Sequence, residues 1–445
     1  MDVNNLKNPP NYFERVRQKA EQRWRQLEND PELAGPWHQL FKQVPSPRHV
    51  LSELLQNADD AGATEASVEI ADGYLIFEHN GEDFTEEQFT SLCRFGFSNK
   101  RSLHTIGFRG IGFKSTFSLG NTVELYTPSL AAAFDRSRFT EPRWLEIRTE
   151  THNLTRVQVL IVDSNRKCEL EKNLEEWKSS ALSLLFFRNI RRLRIGNKDL
   201  RWTKTDDGPV SDSEWMALDE DPKNLFLLVQ SEEESFPEEA LEEIKQERLL
   251  SEGQEANFPP CKVELVLGAV GRLYVVLPTG VKTELPFACN APFIQDPARL
   301  KIKDPETSPT NRWRLDRVGR LAGEVMLNWL GNSEKGNEYR AQAYNLMPDI
   351  DRDDNSLDGV CSATAECSFD DVITGKPILL TESGELVEKN ESVILPIELS
   401  DIWSAEEAAN FLMKRIESRS PPLFPAQTSK SLRTGSWLMK LIRIK

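Results

Sequence analysis

At 445 residues the chain exceeds the length at which a single hydrophobic core keeps growing, which predicts two to three domains. Hydrophobic residues make up 39% and charged residues 28%, which excludes the disordered and collagenous classes. The net charge of -16 repels phosphate backbones, whose neutralisation by Lys and Arg supplies most of the affinity for a duplex, so nucleic acid is disfavoured as a partner.

Six cysteines, Cys93, Cys168, Cys261, Cys289, Cys361 and Cys367, are scattered with no CxxC pair. They signal neither a zinc site nor a disulfide framework and fit reduced thiols. The opening MDVNNLKNPPNYFERVRQ has no apolar core of the signal-peptide kind, and no apolar run approaches the ~18 residues that span a bilayer. A cytoplasmic chain without a membrane partner is expected.

From Tyr12 to Glu28 the pattern is that of a charged surface helix packed through Phe13, Val16, Ala20 and Trp24. A second helix is predicted from about Pro47 to Ala61, with Ser46 as cap, Pro47 in the first turn and Gly62 in the left-handed position after the end. ATEASVEI and YLIFEH alternate as strands around the hairpin signal Ala71-Asp72-Gly73. Thr85 and Gln88 form a capping-box pattern ahead of a short helix ending near Gly96. After the glycine-rich IGFRGIGFKSTFSL come strand-like NTVELYT, TRVQVLIVD and LLFFRNIRRLRIG. The basic residues of the last stretch, Arg188, Arg191, Arg192, Arg194, Lys198 and Arg201, interleave with apolar ones and read as a solvated face. Residues 1–205 thus predict an α+β sandwich of sheet and helices.

Residues 206–256 turn acidic, with SEEES and PEEALEEIKQE, and read as a linker or excursion. A second α/β module is expected over 257–345, with KVELVLG and RLYVVLP as a hairpin and a helix from near Trp313 to Leu330. The region 346–445 carries short strands in PILLT and SVILPIEL and a helix at Ala405 to Ile416, with no motif that assigns it a role.

Chemistry concentrates in LSELLQNADDAG. Val50, Leu51, Leu54, Leu55 and Ala58 form an apolar stripe, while Glu53, Asn57 and Asp60 fall four and three residues apart on an adjoining one. A Glu can take a proton from an attacking water, and an Asn carbonyl oxygen is a hard ligand suited to Mg²⁺. The same spacing also suits a solvated helix face. In GFRGIGFKS, Gly107, Gly110 and Gly112 precede a helix expected to begin near Phe113; glycines and free helix-terminal amides allow backbone to approach a phosphate. Between the two lies YLIFEHNGEDF, a strand ending at Asn80-Gly81.

In this order ELLQNADDAG, HNG and GFRGIGFKS resemble the N-box and the two glycine boxes of the GHKL ATPase superfamily (gyrase, the ninety-kilodalton heat-shock chaperone, histidine kinases and MutL), and are most similar to its sacsin-type subgroup over Phe41 to Thr127. LYVVLPTGVKTELPFACNAPFIQDPARLKIK followed by NRW resembles the segment after the ATPase in sacsin-like proteins. The resemblance implies a Bergerat-type two-layer α/β sandwich that binds ATP and Mg²⁺. Glu53 would be the general base, Asn57 the Mg²⁺ ligand, and Asp60 would face the nucleotide. His79, Asn80 and Gly81 would form the first glycine box. Gly107, Gly110, Ile111, Gly112, Phe113 and Lys114 would form the phosphate loop, and Ser98 to Ile106, including Ser98 and Lys100, the lid. The superfamily's first box opens with an Asp that accepts from the adenine amino group; here His79 stands in its place. Arg299, with Lys301 and Lys303, is the candidate basic residue from the second module toward the γ-phosphate.

The resemblance further implies Mg²⁺-dependent ATP binding with slow hydrolysis that drives conformational change, chaperone-like or switch-like, with other proteins or a second copy as partners. The alternative is a nucleotide-gated interaction subunit without turnover, such as part of an antiviral defence complex. A histidine kinase would need an acceptor histidine ahead of the motifs, where only His38 and His49 lie nearby, and a DNA-repair or topoisomerase role meets the charge argument.

Overall fold

The computed structural model describes residues 8–30, 47, 50–94, 113–146, 153–179, 181–219, 221, 224–247, 258–296, 301–381, 384–388, 392–394, 407 and 441–443. Helix α1 (Phe13–Asn29) buries Phe13, Val16 and Ala20. Helix α2 (Val50–Asp60) buries its whole predicted stripe, Val50, Leu51, Leu54, Leu55 and Ala58, and Gly62 follows in the left-handed conformation at φ 74°. Strands β1 (Glu65–Ala71) and β2 (Tyr74–His79) pair antiparallel, with Val68 opposite Phe77. Their turn, Asp72-Gly73, has φ of 51° and 81°, the two left-handed residues that a two-residue hairpin requires. Helix α3 (Glu86–Leu92) starts on the complete Thr85/Gln88 capping box.

The helix expected after the glycine stretch is a 3₁₀ segment, Phe113–Ser118. Strands β3 (Thr122–Tyr126), β4 (Ala131–Asp135), β5 (Pro142–Trp144) and β6 (Thr155–Leu160) follow. After α4 (Ser164–Ser179), LLFFRNIRRLRIG divides into a helical turn, α5 (Ser183–Phe186), and strand β7 (Arg192–Ile195). One continuous strand cannot form there, because the backbone N–H groups of Arg188, Asn189 and Ile190 donate to the Asp59 carboxylate rather than to a ladder.

Residues expected to form an acidic linker carry the end of β8 (Lys198–Asp207), β9 (Ser213–Leu218), β10 (Leu225–Gln230) and α6 (Glu238–Glu247). Their acidic residues lie outside while Met216, Ala217, Leu227, Val229, Ala240 and Ile244 are buried, which suffices for half-buried elements. Strands β11 (Glu264–Leu267), β12 (Leu273–Val275), β13 (Leu277–Pro278) and β14 (Phe287–Asn290) complete a 14-stranded sheet ordered β13-β12-β14-β11-β10-β9-β8-β7-β1-β2-β6-β3-β4-β5. The expected hairpin of KVELVLG with RLYVVLP does not form: the wholly buried FACN of β14 enters between them, antiparallel to β11 and parallel to β12.

Helix α7 (Pro309–Gly331) is capped by the Ser308 hydroxyl, which accepts from Asn311 N–H. After α8 (Asn337–Ala341) comes α9 (Leu357–Ile373), which the sequence did not signal. The two long helices meet at Gly319 and Gly323; a Cβ at Gly319 would lie 2.0 Å from the Ala365 carbonyl oxygen and one at Gly323 2.9 Å from Val372 Cβ. Strands β15 (Leu379–Leu380) with β16 (Leu386–Val387), and β17 (Ser392–Ile394) with β18 (Leu441–Arg443), make two small ribbons. All of the helix expected at 405–416 except Glu407 lies outside the described residues. Two main cores result: one around Phe77, Phe117 and Phe134, and one around Phe287, Trp329 and Phe369. The class is α+β, as expected, with helices laid on a mixed sheet. No helix among the described residues is long and apolar enough to cross a membrane.

Candidate functional site

Helix α2 places Glu53, Asn57 and Asp60 on one side of its buried stripe. Glu53 is 7% exposed and Asn57 and Asp60 are half-buried. The 3₁₀ segment Phe113–Ser118 packs against this helix, so the exit of the glycine stretch meets the element that carries the proposed acid and amide. Phe113 is half-buried and meets Phe134 edge-on at 5.7 Å. Ser98, Lys100, Gly107, Gly110, Ile111, Gly112 and Arg299, with the expected lid Ser98 to Ile106, lie outside the described residues.

Lys114 is 2% exposed, with Nζ donating to the Arg94 carbonyl at 2.6 Å and lying 5.9 Å from the centre of the Phe139 ring. Burial pulls its pKa from 10.5 down to about 8. Ser115 and Thr116 are fully buried. The Lys-Ser pair that sharpens the motif in sequence therefore points into the protein.

The HNG triplet is a compact knot. The Asn80 side-chain oxygen accepts from the N–H groups of Thr64 at 2.9 Å and Glu65 at 3.0 Å, and its amide donates to the Thr64 hydroxyl at 2.8 Å. A Cβ at Gly81 would come 2.8 Å from the Ala61 carbonyl oxygen, which accepts from Glu82 N–H at 2.8 Å. Only glycine lets β2 end this close to the foot of α2. His79 is buried, and its Nδ1 accepts from Gly81 N–H at 3.1 Å. Burial lowers its pKa to about 4, so the ring is neutral at pH 7 and its proton sits on Nε2. The position thus offers a donor where a carboxylate would accept.

The donor set decides whether Mg²⁺ and ATP fit here. Among the described residues no group of three or more His, Cys, Asp or Glu side chains converges on one point; a Mg²⁺ held by the Asn57 amide oxygen, waters and phosphates requires no such cage. A buried acid one helical turn before a half-buried amide, on the helix that the end of the glycine stretch packs against, is compatible with that mode of binding.

Short stretches of the chain are similar to sacsin and to MutL. Identity is 28% over 116 residues with sacsin of Homo sapiens, covering 22% of this chain and 2% of that protein. It is 40% over 86 residues with the DNA mismatch repair protein MutL of Pelobacter propionicus, covering 17% of this chain and 14% of MutL. With MutL of Chloroherpeton thalassium it is 31% over 178 residues, covering 36% and 26%. The chain therefore spans about a quarter or less of the length of these relatives. No family model matches it. These partial likenesses support a GHKL-type ATP-binding region and nothing finer.

A cleft of about 670 Å³ touches α2 at Asp59 and at Asp60, the last member of the stripe, and is lined by neither Glu53 nor Asn57. Its walls come from Phe187, Arg188 and Arg191 on one side and Gln230, Glu264 and Asn290 on the other. The site is placed on the motif helix rather than in this cleft, because the hard donor and the acid lie there. Of the second-module cations, Lys303 pairs with Glu243 at 3.8 Å and with Glu247 on α6, and the Lys301 backbone N–H donates to the Asp296 carboxylate at 3.1 Å. Asp59, passed over in the sequence, accepts from the backbone N–H groups of Arg188, Asn189 and Ile190. One signal was present: two acids at a helix C-terminus oppose its dipole and so call for partners outside the helix.

Proposed function

We propose that this chain binds ATP with Mg²⁺ along α2 and hydrolyses it slowly, using the cycle to change conformation in the manner of a chaperone-like switch. The observation that carries this is the buried Glu53 one turn before Asn57, on the helix against which the end of the glycine stretch packs. Bound Mg²⁺ would offset charge on the β- and γ-phosphates. Asn57 would orient it through its amide oxygen, the glycine loop would cradle phosphate with backbone N–H groups, and Lys114, bonded to the Arg94 carbonyl, would anchor the exit of that loop. Glu53 would accept a proton from the attacking water; its burial excludes bulk water and aims the carboxylate from a rigid helix. A basic residue of the second module, Arg299, is proposed to complete the site, with other proteins or a second copy as partners.

The neutral, donor-presenting His79 favours a second reading, a nucleotide-gated interaction subunit without turnover. Glu53→Gln separates the two. General-base catalysis contributes roughly 10²- to 10⁴-fold in rate and little to ground-state affinity. The ATPase predicts γ-phosphate release that collapses in the variant while ATP affinity survives. Wild-type turnover no faster than that of the Gln variant leaves the gated binder.

A further inference from the structure

Asp59 is 4% exposed, and its carboxylate accepts from three consecutive backbone N–H groups, those of Arg188 at 3.1 Å, Asn189 at 2.8 Å and Ile190 at 3.0 Å. The Asn189 side-chain amide adds a bond to the Asp59 carbonyl at 2.9 Å. Hydrogen bonds to an ionised acceptor are about twice as strong as neutral ones, so this is a firm link between elements 130 residues apart. The next residue, Arg191, donates its N–H to the Thr64 carbonyl at 3.0 Å, and Thr64 is the residue that Asn80 clamps. The motif helix and the HNG knot therefore grip the same short segment, 188–191, from two sides.

That segment forms one wall of the 670 Å³ cleft. Across it stands Glu264 of β11, buried, with one carboxylate oxygen accepting from the Gln230 amide and the other from the Asn290 amide, both at 2.6 Å. The Arg191 guanidinium donates to the carbonyls of Phe187, Ile190 and Arg188, and Arg191 lines the same cleft as Glu264. Polar contacts thus run from α2 to residues 188–191, which share the cleft with β11 and lead into β7 of the same sheet. Asp59 itself lies about 120° around the helix from Glu53, at 100° per residue, and so off the stripe that would hold nucleotide.

We propose that Asp59 is a positioning residue: it ties α2 to segment 188–191, so that nucleotide bound on α2 is transmitted across the cleft to β11. This rests on the nucleotide reading and adds to it a route by which the bound state reaches the rest of the molecule. Phosphate binding does not itself need Asp59.

The experiment is hydrogen exchange of the full chain with and without Mg²⁺ and ATP, with ATP affinity measured on the same samples, for the wild type and Asp59→Asn. In the wild type, ATP should slow exchange at least about threefold in 50–60, 188–190 and 264–267. Asp59→Asn should bind ATP within about threefold of wild type and keep the slowing in 50–60, yet lose it in 264–267. A purely structural Asp59 would change baseline exchange and stability but leave that nucleotide-induced difference intact. Should Asp59→Asn not fold, Asn189→Ala removes one bond of the link and should at least halve the response in 264–267. ATP binding by the wild type without altered exchange at 188–190 and 264–267, or a variant that keeps the response, overturns the link and leaves the nucleotide reading standing. Wild-type protein that binds no ATP overturns both.

Discussion

Lys114 offers a sharp physical test, because a buried ammonium must leave a pH signature. Its folded pKa of about 8 lies below the usual 10.5, so between those values the unfolded chain binds more protons than the folded one. Stability from this residue therefore rises as pH climbs from 8 toward 10.5 and falls as pH drops through that window. Holding the charge inside at pH 7 costs about 3 kcal/mol, at 1.36 kcal/mol per pKa unit. Lys114→Met keeps the length and the contact with Phe139 but cannot titrate. Urea unfolding of both proteins from pH 7 to pH 10 should show the wild type gaining about 2 to 3 kcal/mol relative to the variant. ATP affinity at pH 7 should stay within about threefold if Lys114 only supports the loop. A stability difference that does not change with pH would refute burial of the ammonium, and loss of ATP binding without loss of fold would show the side chain reaching phosphate.

His79 shows the same sign in a more acidic window: with a folded pKa of about 4 against 6.5 unfolded, its contribution is present above pH 6.5 and lost as pH falls toward 4. His79→Asn, whose side-chain oxygen can still accept from Gly81 N–H, should lose about 3 kcal/mol less than wild type between pH 7 and pH 4 in the same unfolding assay; equal acid sensitivity would mean the ring is not buried neutral. Because His79 presents a donor, the adenine amino group gains nothing from it, and inosine triphosphate should compete within about threefold of ATP; a preference for ATP beyond about tenfold would require another acceptor. Gly319→Val would drive a side chain into the Ala365 carbonyl and should cost about 3 kcal/mol while opening α9 to proteolysis; an unchanged urea midpoint would contradict the close helix crossing.

The first half of the fold was legible because its signals are local. The stripe of α2, the Asp72-Gly73 turn and the Thr85/Gln88 box each fix an element within a few residues. What escaped depends on long-range partners. FACN is too short to show alternation and is buried at all four positions, and it becomes a central strand only because β11 and β12 cover both its edges. Helix α9 lacked a visible stripe because Gly319 and Gly323 let it approach α7 through small residues such as Ala365 rather than through large ones. The acidic stretch resembled a linker because exposed charge masked the few buried residues of β9 and β10, which fall in short runs rather than in alternation. At the candidate site, spacing singled out Glu53, Asn57 and Asp60 but not Asp59, whose partners lie some 130 residues away.

Whether α2 holds ATP through Mg²⁺ at Asn57 is decided by titration calorimetry of the full chain with ATP. Wild-type protein with Mg²⁺ should bind, and either chelating the metal or introducing Asn57→Ala should weaken binding at least about tenfold, with the two effects not adding because they remove the same link. Equal affinity with and without Mg²⁺, or in Asn57→Ala, would contradict that mode of binding.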